Sequence, residues 1–190
     1  MKSFKKMFSL VVIVSLLAAL IAGCGSSAPA GDSAKKTSRI DQIKKNGKLI
    51  LATGNYRPFE YHDEKTNKII GYDIDVAEAI AKKIGVPLEV REMQFTSLIP
   101  SLQNAQADLV IAAMYITDQR KEVVDFADPY MDTGMVLAVR SENTDIKSPQ
   151  DLNGKVVGVK TGATSEKVAQ DLKEKGIKLE IKSYKETVDY

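Results

Sequence analysis

Strand-like and helix-like patterns alternate along the middle of this chain, and this alternation narrows the possible folds more than any other feature. Apolar residues recur at helical spacing over 74–84, and a second helix is predicted to end at Gln103. Strands that alternate with helices of this length build right-handed βαβ units, which predicts an α/β fold with a mostly parallel sheet. The strands are predicted by the apolar runs KLILAT (48–53), LEVREM (88–93) and ADLVIAAM (107–114).

The ends of the two helices carry start and stop residues. Asp73 is the predicted N-cap of the first helix and Gly85 is its predicted stop. Thr96 is the predicted N-cap of the second helix, and Pro100 comes early enough in that helix to be tolerated.

A second α/β series begins near residue 134, so we predict one lobe over 39–133 and another over 134–190. A helix is predicted over 164–175 with Gly176 as its stop, and the final YKETVDY resembles the start of a further helix. The segment SPQDLNG predicts a short helical turn. The strands of this series are predicted by GMVLAVR (134–140), KVVGVK (155–160) and IKLEIK (177–182).

The N-terminus has the composition of a secretory signal peptide over 1–23. Lysines precede an uncharged apolar stretch, residues 7–23, which at 17 residues is at the lower limit for a membrane-spanning helix. The segment Ile21-Ala22-Gly23-Cys24 resembles the bacterial lipobox, in which the chain is cut before the cysteine and the thiol carries a lipid. Cys24 is the only cysteine, so no intrachain disulfide can form.

Residues 24–38 are predicted to be a lipidated cysteine followed by a flexible tether, because GSSAPAGDSAKKTS is rich in Gly, Ser and Ala without apolar periodicity. Folded structure is expected from about Arg39. This arrangement predicts a protein held by its lipid at the extracytoplasmic face of the cell membrane. Loss of the signal peptide leaves 24 basic and 25 acidic side chains, so the charge gives no reason to expect nucleic acid as a partner.

Polar residues follow the apolar strand at 107–114 directly, in the sequence MYITDQR. In open α/β sheets, ligands bind beyond the carboxyl ends of the strands, which makes this a candidate site. The alternative is a capping turn in which Thr117 caps a helix, Asp118 lies on its dipole and Arg120 is solvated. Tyr56 and Phe95 follow two other predicted strands and are further candidates.

Catalysis finds little support in the residues. His62 is the only histidine and lies in the polar stretch YHDEKTNK, so no histidine-based triad or metal cluster is available. The glycines at 154, 158 and 162 match neither nucleotide-binding motif. We therefore expect that the protein is not an enzyme and binds no metal or cofactor. Catalysis by a glutamate side chain is the alternative that the sequence leaves open.

Four motifs in this order resemble the extracytoplasmic solute-binding proteins of polar amino acid ABC transporters. The resemblance runs from about Gly47 to about Glu166 and implies a two-lobed periplasmic-binding-protein fold of type II that closes on an amino acid. The motifs are YRPFEY, GYDIDVAEAIAKKIGVPLEV, LIPSLQNAQADLVIAAMYITDQRKEVVDFADPY and LNGKVVGVKTGATSE.

The resemblance implies a role for each candidate residue. Arg120 would grip the ligand carboxylate, because a planar guanidinium makes two parallel charge-assisted hydrogen bonds to it. Thr117 and the backbone at Ala113 and Tyr115 would take the α-ammonium and share the carboxylate. The remaining implied contacts are the aromatic sandwich of Tyr56 and Phe95, Thr164 at a helix N-terminus, and Lys160, for which a solvated side chain is the alternative.

Two departures bear on the ligand. Position 115 is Tyr where many relatives have Ser or Thr, and position 53 is Thr where binders of basic amino acids often have Asp. These departures favour an uncharged polar or sulfur-containing amino acid. In the family the chain continues beyond this point through a carboxylate that pairs with the ligand ammonium, so the second lobe is expected to be incomplete here, with weak binding if nothing follows.

The function implied is that of a lipid-anchored, monomeric receptor that captures an amino acid and delivers it to an ABC permease and its ATPase. Two alternatives use the same lobes. One is the ligand-binding domain of a signalling receptor, although no second apolar segment is present. The other is a dehydratase of cyclic acids, which turnover of such an acid would reveal.

Overall fold

The computed structural model describes residues 38–186. The predicted signal peptide, Cys24 and nearly all of the predicted tether lie outside these residues, as do the last four positions of the expected C-terminal helix. In chain order the helices and strands are α1 (Arg39–Asn46), β1 (Leu49–Thr53), β2 (Tyr61–His62), β3 (Ile69–Ile70), α2 (Tyr72–Ile84), β4 (Leu88–Glu92), α3 (Phe95–Gln103), β5 (Leu109–Val110), α4 (Asp118–Lys121), a 3-10 turn (Pro149–Leu152), β6 (Val156–Lys160), α5 (Thr164–Glu174) and β7 (Glu180–Tyr184).

The first sheet has the strand order β4-β1-β5, and all of its pairings are parallel. Leu49 pairs with Leu88 on one side of β1, and Leu51 pairs with Leu109 on the other. β1 is the central strand and is almost entirely buried, which matches its continuous apolar sequence. The predicted parallel α/β arrangement is therefore present.

Helices cover both faces of the first sheet. Successive strand residues point to opposite faces, so Leu51 packs against Ile74 and Ala77 of α2. The next residue, Ala52, packs against Leu98 of α3. The helix-strand alternation in the sequence thus becomes a three-layer arrangement with a helix on each face of the sheet.

β2 and β3 pair antiparallel as a separate two-stranded sheet. The second parallel sheet consists of β6 and β7, with Val157 opposite Ile181. α5 connects the two strands, and its Ala169 is buried together with Val159 and Leu179. This is a complete βαβ unit, as the second series predicts. No helix within 38–186 has the length and apolar character needed to cross a membrane.

Three predicted strands differ in the structure. The segment 134–140 is not a strand, because no other strand in the described part of the chain pairs with it, and its Val136 is 85% exposed. The strand predicted over 107–114 shortens to Leu109–Val110, since the chain turns at Ala113 with a φ of 45°. β7 begins at Glu180 rather than 177, because the amide of Leu179 donates to the carbonyl of Ile177 in a turn.

The capping predictions are partly wrong. α2 begins at Tyr72 after Gly71, so Asp73 lies inside the first turn and does not cap the helix. α3 begins at Phe95 after Gln94, which places Thr96 one residue inside it. Gly85 does end α2 in a left-handed conformation, with a φ of 88°.

Candidate functional site

Arg120 lies in the short helix α4 at the carboxyl end of the first sheet. Thr117 is the N-cap of α4, and its hydroxyl oxygen accepts from the Arg120 amide at 3.3 Å. The capping-turn interpretation is thus correct for Thr117. It is wrong for the Arg120 side chain, which is partly buried rather than solvated, and burial lowers the pKa of its guanidinium.

The Arg120 guanidinium joins two separate parts of the chain. Its Nη1 donates to the Tyr115 carbonyl at 2.7 Å, which fixes the side chain against its own strand-end loop. Nη2 donates to the Gly162 carbonyl at 3.1 Å, and Nη1 lies 3.5 Å from Thr164 Oγ1. Gly162 and Thr164 belong to the β6–α5 unit, so this one cation connects the carboxyl ends of both sheets.

The Phe95 ring lies near both the Arg120 guanidinium and the buried Lys160, and the Tyr56 ring lies near Lys160. The Phe95 ring centre is 5.4 Å from Arg120 Cζ and 5.5 Å from Lys160 Nζ. The Tyr56 ring centre is 5.9 Å from the same Nζ, and the Tyr56 ring stacks on Phe59 at 5.7 Å. Distances of this size are within the range of cation–π attraction.

Lys160 is only 6% exposed, so the interpretation of it as a solvated lysine is wrong. Its position follows from β6, which ends at Lys160 and directs the side chain toward the first sheet, where Nζ is 3.4 Å from the Asn55 carbonyl. The structure thus brings Tyr56, Phe95, Lys160 and Arg120 together.

Backbone groups at the strand end already have partners. The Ala113 amide donates to Asp73 Oδ2 at 2.7 Å, and the Tyr115 carbonyl accepts from Arg120. The Ala113 N–H is therefore occupied by a contact within the fold. The Ala113 carbonyl is the backbone group that could accept from a ligand ammonium. That Ala113 and Tyr115 contact a ligand stays a prediction.

α5 begins at Thr164, next to the guanidinium. The first amides of a helix have no intrahelical acceptor and attract anions. The Gly162 amide donates to Glu166 Oε2 at 2.8 Å, which stabilises the tight turn that leads into the helix. Thr117, Arg120, Gly162 and Thr164 line a cavity of about 500 Å³.

The sequence does not predict the pair of buried acids formed by Glu60 and Asp73, of which it indicates only Asp73, as a helix cap. Glu60 and Asp73 are 1% and 0% exposed, and they lie beneath the strand-end loops. A signal for Asp73 exists in the sequence, because Asp73, Ala77 and Ala81 recur every four residues and so lie on the buried face of α2. Within 38–186, no three His, Cys, Asp or Glu side chains are placed to hold a metal ion.

The chain matches known proteins over most of its described length. Residues 49–186 match the family described as bacterial extracellular solute-binding proteins, family 3. The arginine-binding extracellular protein ArtP of Bacillus subtilis (strain 168) is 37% identical over 139 residues, 73% of this chain and 49% of that protein. The L-cystine-binding protein TcyA of the same strain is 34% identical over 140 residues, 73% of this chain and 52% of that protein.

Solved structures give the same result for the fold. The ancestral amino acid-binding protein AncCDT-1, a precursor of cyclohexadienyl dehydratase, superposes with a TM-score of 0.74 at 37% identity over 80% of this chain and 67% of that chain. This likeness confirms the predicted two-lobed α/β fold of type II. The chain spans about half the length of the curated relatives it matches. It belongs to the bacterial extracellular solute-binding proteins of family 3.

Proposed function

We propose that this protein captures an amino acid in the cleft around Arg120 and delivers it to an ABC permease and its ATPase. The proposal rests on the position of the Arg120 guanidinium. It contacts the Tyr115 carbonyl on one side and the Gly162 carbonyl and Thr164 hydroxyl on the other. One cation at the junction of two α/β units is well placed for an anion held between them.

The ligand carboxylate would replace the Gly162 carbonyl as the acceptor for Arg120. A carboxylate is the stronger acceptor, since its negative charge attracts the guanidinium and its two oxygens can accept two parallel N–H bonds at once. The first amides of α5 would add their N–H groups and the helix dipole. Because such a ligand contacts both units, it binds the closed arrangement better than an open one and thereby drives closure.

The side-chain pocket would be formed by Tyr56, Phe95 and Lys160. The Lys160 ammonium faces both rings and disfavours a second cation in the same space, which supports an uncharged polar or sulfur-containing ligand. Thr53 is uncharged, and its buried hydroxyl already donates to the Ile111 carbonyl at 2.7 Å, so this position offers no countercharge to a basic ligand. The relatives are named for binding, and catalysis is no part of this proposal.

A thermal-shift scan of the chain from Gly25 against the common amino acids and cystine tests the function. One amino acid is expected to raise the melting temperature, because a ligand at about 100 times its dissociation constant adds about 2.7 kcal/mol to stability. A cooperative melt that no amino acid moves would contradict the proposal.

The anchor proposal rests on Cys24. Replacing Cys24 with alanine is expected to leave an uncut precursor without lipid, since the thiol is the only site in the chain for a thioether. The measurement is incorporation of labelled palmitate together with precursor size on a gel, with Ser26→Ala as the matched control. Normal lipid labelling of the Cys24 variant would refute the anchor.

A further inference from the structure

The buried acids Glu60 and Asp73 are brought together by backbone hydrogen bonds. The Asp73 amide donates to the Phe59 carbonyl at 2.9 Å, so the start of α2 is tied to the loop that carries Glu60. A hydrogen bond between the two carboxyls raises the pKa of Glu60 and lowers that of Asp73. Both side chains are fully buried, and neither belongs to the ligand contacts considered so far.

The hydrogen bonds of this pair are incomplete, because one donor proton is missing. Asp73 Oδ2 accepts from the Ala113 amide at 2.7 Å and from the Tyr130 hydroxyl at 3.2 Å. Asp73 Oδ1 and Glu60 Oε2, by contrast, are buried without a donor. Two ionised carboxylates cannot hydrogen-bond to each other, because both are only acceptors. A buried oxygen without a donor lowers the stability of the folded state. A single proton between the two carboxyls supplies the missing donor.

Glu60 is the member that carries the proton. Asp73 already receives two donors, which stabilise its ionised form, whereas Glu60 Oε2 is buried without one. Burial, followed by the charge of Asp73, raises the pKa of Glu60 to about 9. Burial also raises the pKa of Asp73, and the Ala113 and Tyr130 hydrogen bonds oppose that rise.

The groups that face the pair come from three other parts of the chain. Tyr130 reaches it from the extended segment after α4, and burial raises the pKa of its hydroxyl so that the hydroxyl keeps its proton. The Ala113 amide reaches it from the strand end. Lys160 approaches from β6 and lies beside Gly54 together with Glu60, because a Cβ added at Gly54 would be 3.4 Å from Glu60 Oε1 and 3.9 Å from Lys160 Nζ. The charge of Lys160 lowers the pKa of Glu60. With one proton on the pair, one carboxylate faces one ammonium, and the buried cluster is neutral.

We propose that Glu60 and Asp73 are positioning residues that share one proton, and that this protonated pair holds the Ala113 backbone and the Lys160 ammonium in place for ligand binding. This inference rests on the proposed function, because Ala113 and Lys160 are two of the predicted ligand contacts. Loss of the proton removes the bond between the carboxyls and places a second negative charge beside Lys160. Amino acid affinity therefore falls at alkaline pH.

Glu60→Gln is the matched variant, because its amide donates to Asp73 at every pH and never ionises. The first measurement is the infrared spectrum of the chain from Gly25 in D₂O at neutral pH. The wild type is expected to show the carbonyl stretch of a buried protonated carboxyl, and Glu60→Gln is expected to lack it. A wild-type spectrum without that band would overturn the shared proton.

The stability of the ligand-free chain gives an independent reading. A carboxyl whose pKa rises on folding stabilises the folded state fully at pH values below its ordinary pKa of 4.5, and this contribution is lost as the pH rises through about 9. The melting temperature of the wild type is thus expected to fall between pH 5 and pH 9 relative to Glu60→Gln. Parallel pH profiles of the two proteins would contradict the proposal.

Titration with L-arginine, L-cystine and L-glutamine tests the link to the cleft. The ligand ammonium also titrates at alkaline pH, so the two proteins are compared at each pH. Wild type and Glu60→Gln are expected to bind alike at pH 7, whereas Glu60→Ala, which lacks the donor, binds more weakly. At pH 10, about one unit above the pKa of Glu60, the wild type is expected to bind about tenfold more weakly than Glu60→Gln.

The two hypotheses fail in different ways. If neither cystine nor any of the common amino acids binds either protein at pH 7, the proposed amino acid site is wrong, whatever the infrared band shows. If one of them binds both proteins with the same pH dependence, the site stands and the positioning role of the pair is wrong.

Discussion

Replacing Arg120 with alanine is expected to abolish amino acid binding at ordinary ligand concentrations while leaving the chain folded. Truncating one partner of a buried, hydrogen-bonded charge pair costs about 3 kcal/mol, which corresponds to roughly a 100-fold or greater loss of affinity. The loss is large because the ligand carboxylate would then lie in the cleft without its countercharge. Isothermal titration with the amino acid found by the thermal-shift scan measures the change.

The fold is expected to survive because the backbone of Arg120 carries its structural role. The cap of α4 joins Thr117 Oγ1 to the Arg120 amide, and alanine keeps that amide. The guanidinium itself bonds a carbonyl in its own loop and one before α5, and neither contact is part of a helix or sheet ladder. Far-UV circular dichroism of the variant should therefore match the wild type.

Two further variants separate charge from geometry. Arg120→Lys keeps the charge but loses the planar fork, so binding is expected to remain weak, although stronger than in the alanine variant. Lys121→Ala removes the neighbouring exposed charge, which pairs with Asp118 at the surface, and should bind as the wild type does. Equal losses in Arg120→Ala and Lys121→Ala would mean that Arg120 has no special place in the site.

The first sheet could be predicted because its pattern is local. Apolar runs such as KLILAT, separated by helix-length periodic segments, permit few arrangements other than parallel βαβ units, and β1 does lie between β4 and β5. The segment 134–140 has an equally good strand pattern and is not a strand. A strand forms only where a neighbouring strand pairs with it. Whether such a neighbour is present depends on the tertiary structure and cannot be read from the local sequence.

The site was predictable where a residue acts at a strand end, and unpredictable where its neighbours come from elsewhere in the chain. Thr117 caps α4 as its position next to Asp118 indicates. The burial of Lys160 depends on Phe95 and Tyr56, which are far from it in sequence. The residues next to Lys160 therefore do not indicate that its side chain is buried. Asp73 was misread for the same reason, since its partner Ala113 is 40 residues away.

Gly71 is the position where a single methyl group is expected to do the most damage to the fold. Its φ of 129° is one that residues with a side chain rarely adopt. An added Cβ would lie 2.3 Å from the Phe59 carbonyl oxygen and 2.8 Å from that of Pro58, and both are backbone atoms. Gly71→Ala is therefore expected to lower the free energy of unfolding by more than about 3 kcal/mol.

Gly47→Ala and Gly85→Ala are the matched controls for that substitution. Both glycines have positive φ values, 74° and 88°, and an added Cβ at either would meet nothing within 4 Å. They test the conformational cost alone, which is about 1 kcal/mol. Urea unfolding of the three variants measures the difference in the free energy of unfolding. If Gly71→Ala loses no more stability than the controls, the loop that contains Pro58 and Phe59 must move to accommodate the added methyl group.

The close approach at Gly71 is expected to matter for ligand binding as well as for the fold. Without a side chain at Gly71, the amides of Tyr72 and Asp73 reach the carbonyls of Pro58 and Phe59 at 3.2 and 2.9 Å. Those two bonds hold Glu60 against Asp73. If the damage stays local, Gly71→Ala should separate the two acids, and the infrared band of the shared proton should weaken together with ligand affinity. A variant that is less stable but keeps both the band and the affinity would show that the glycine serves the fold alone.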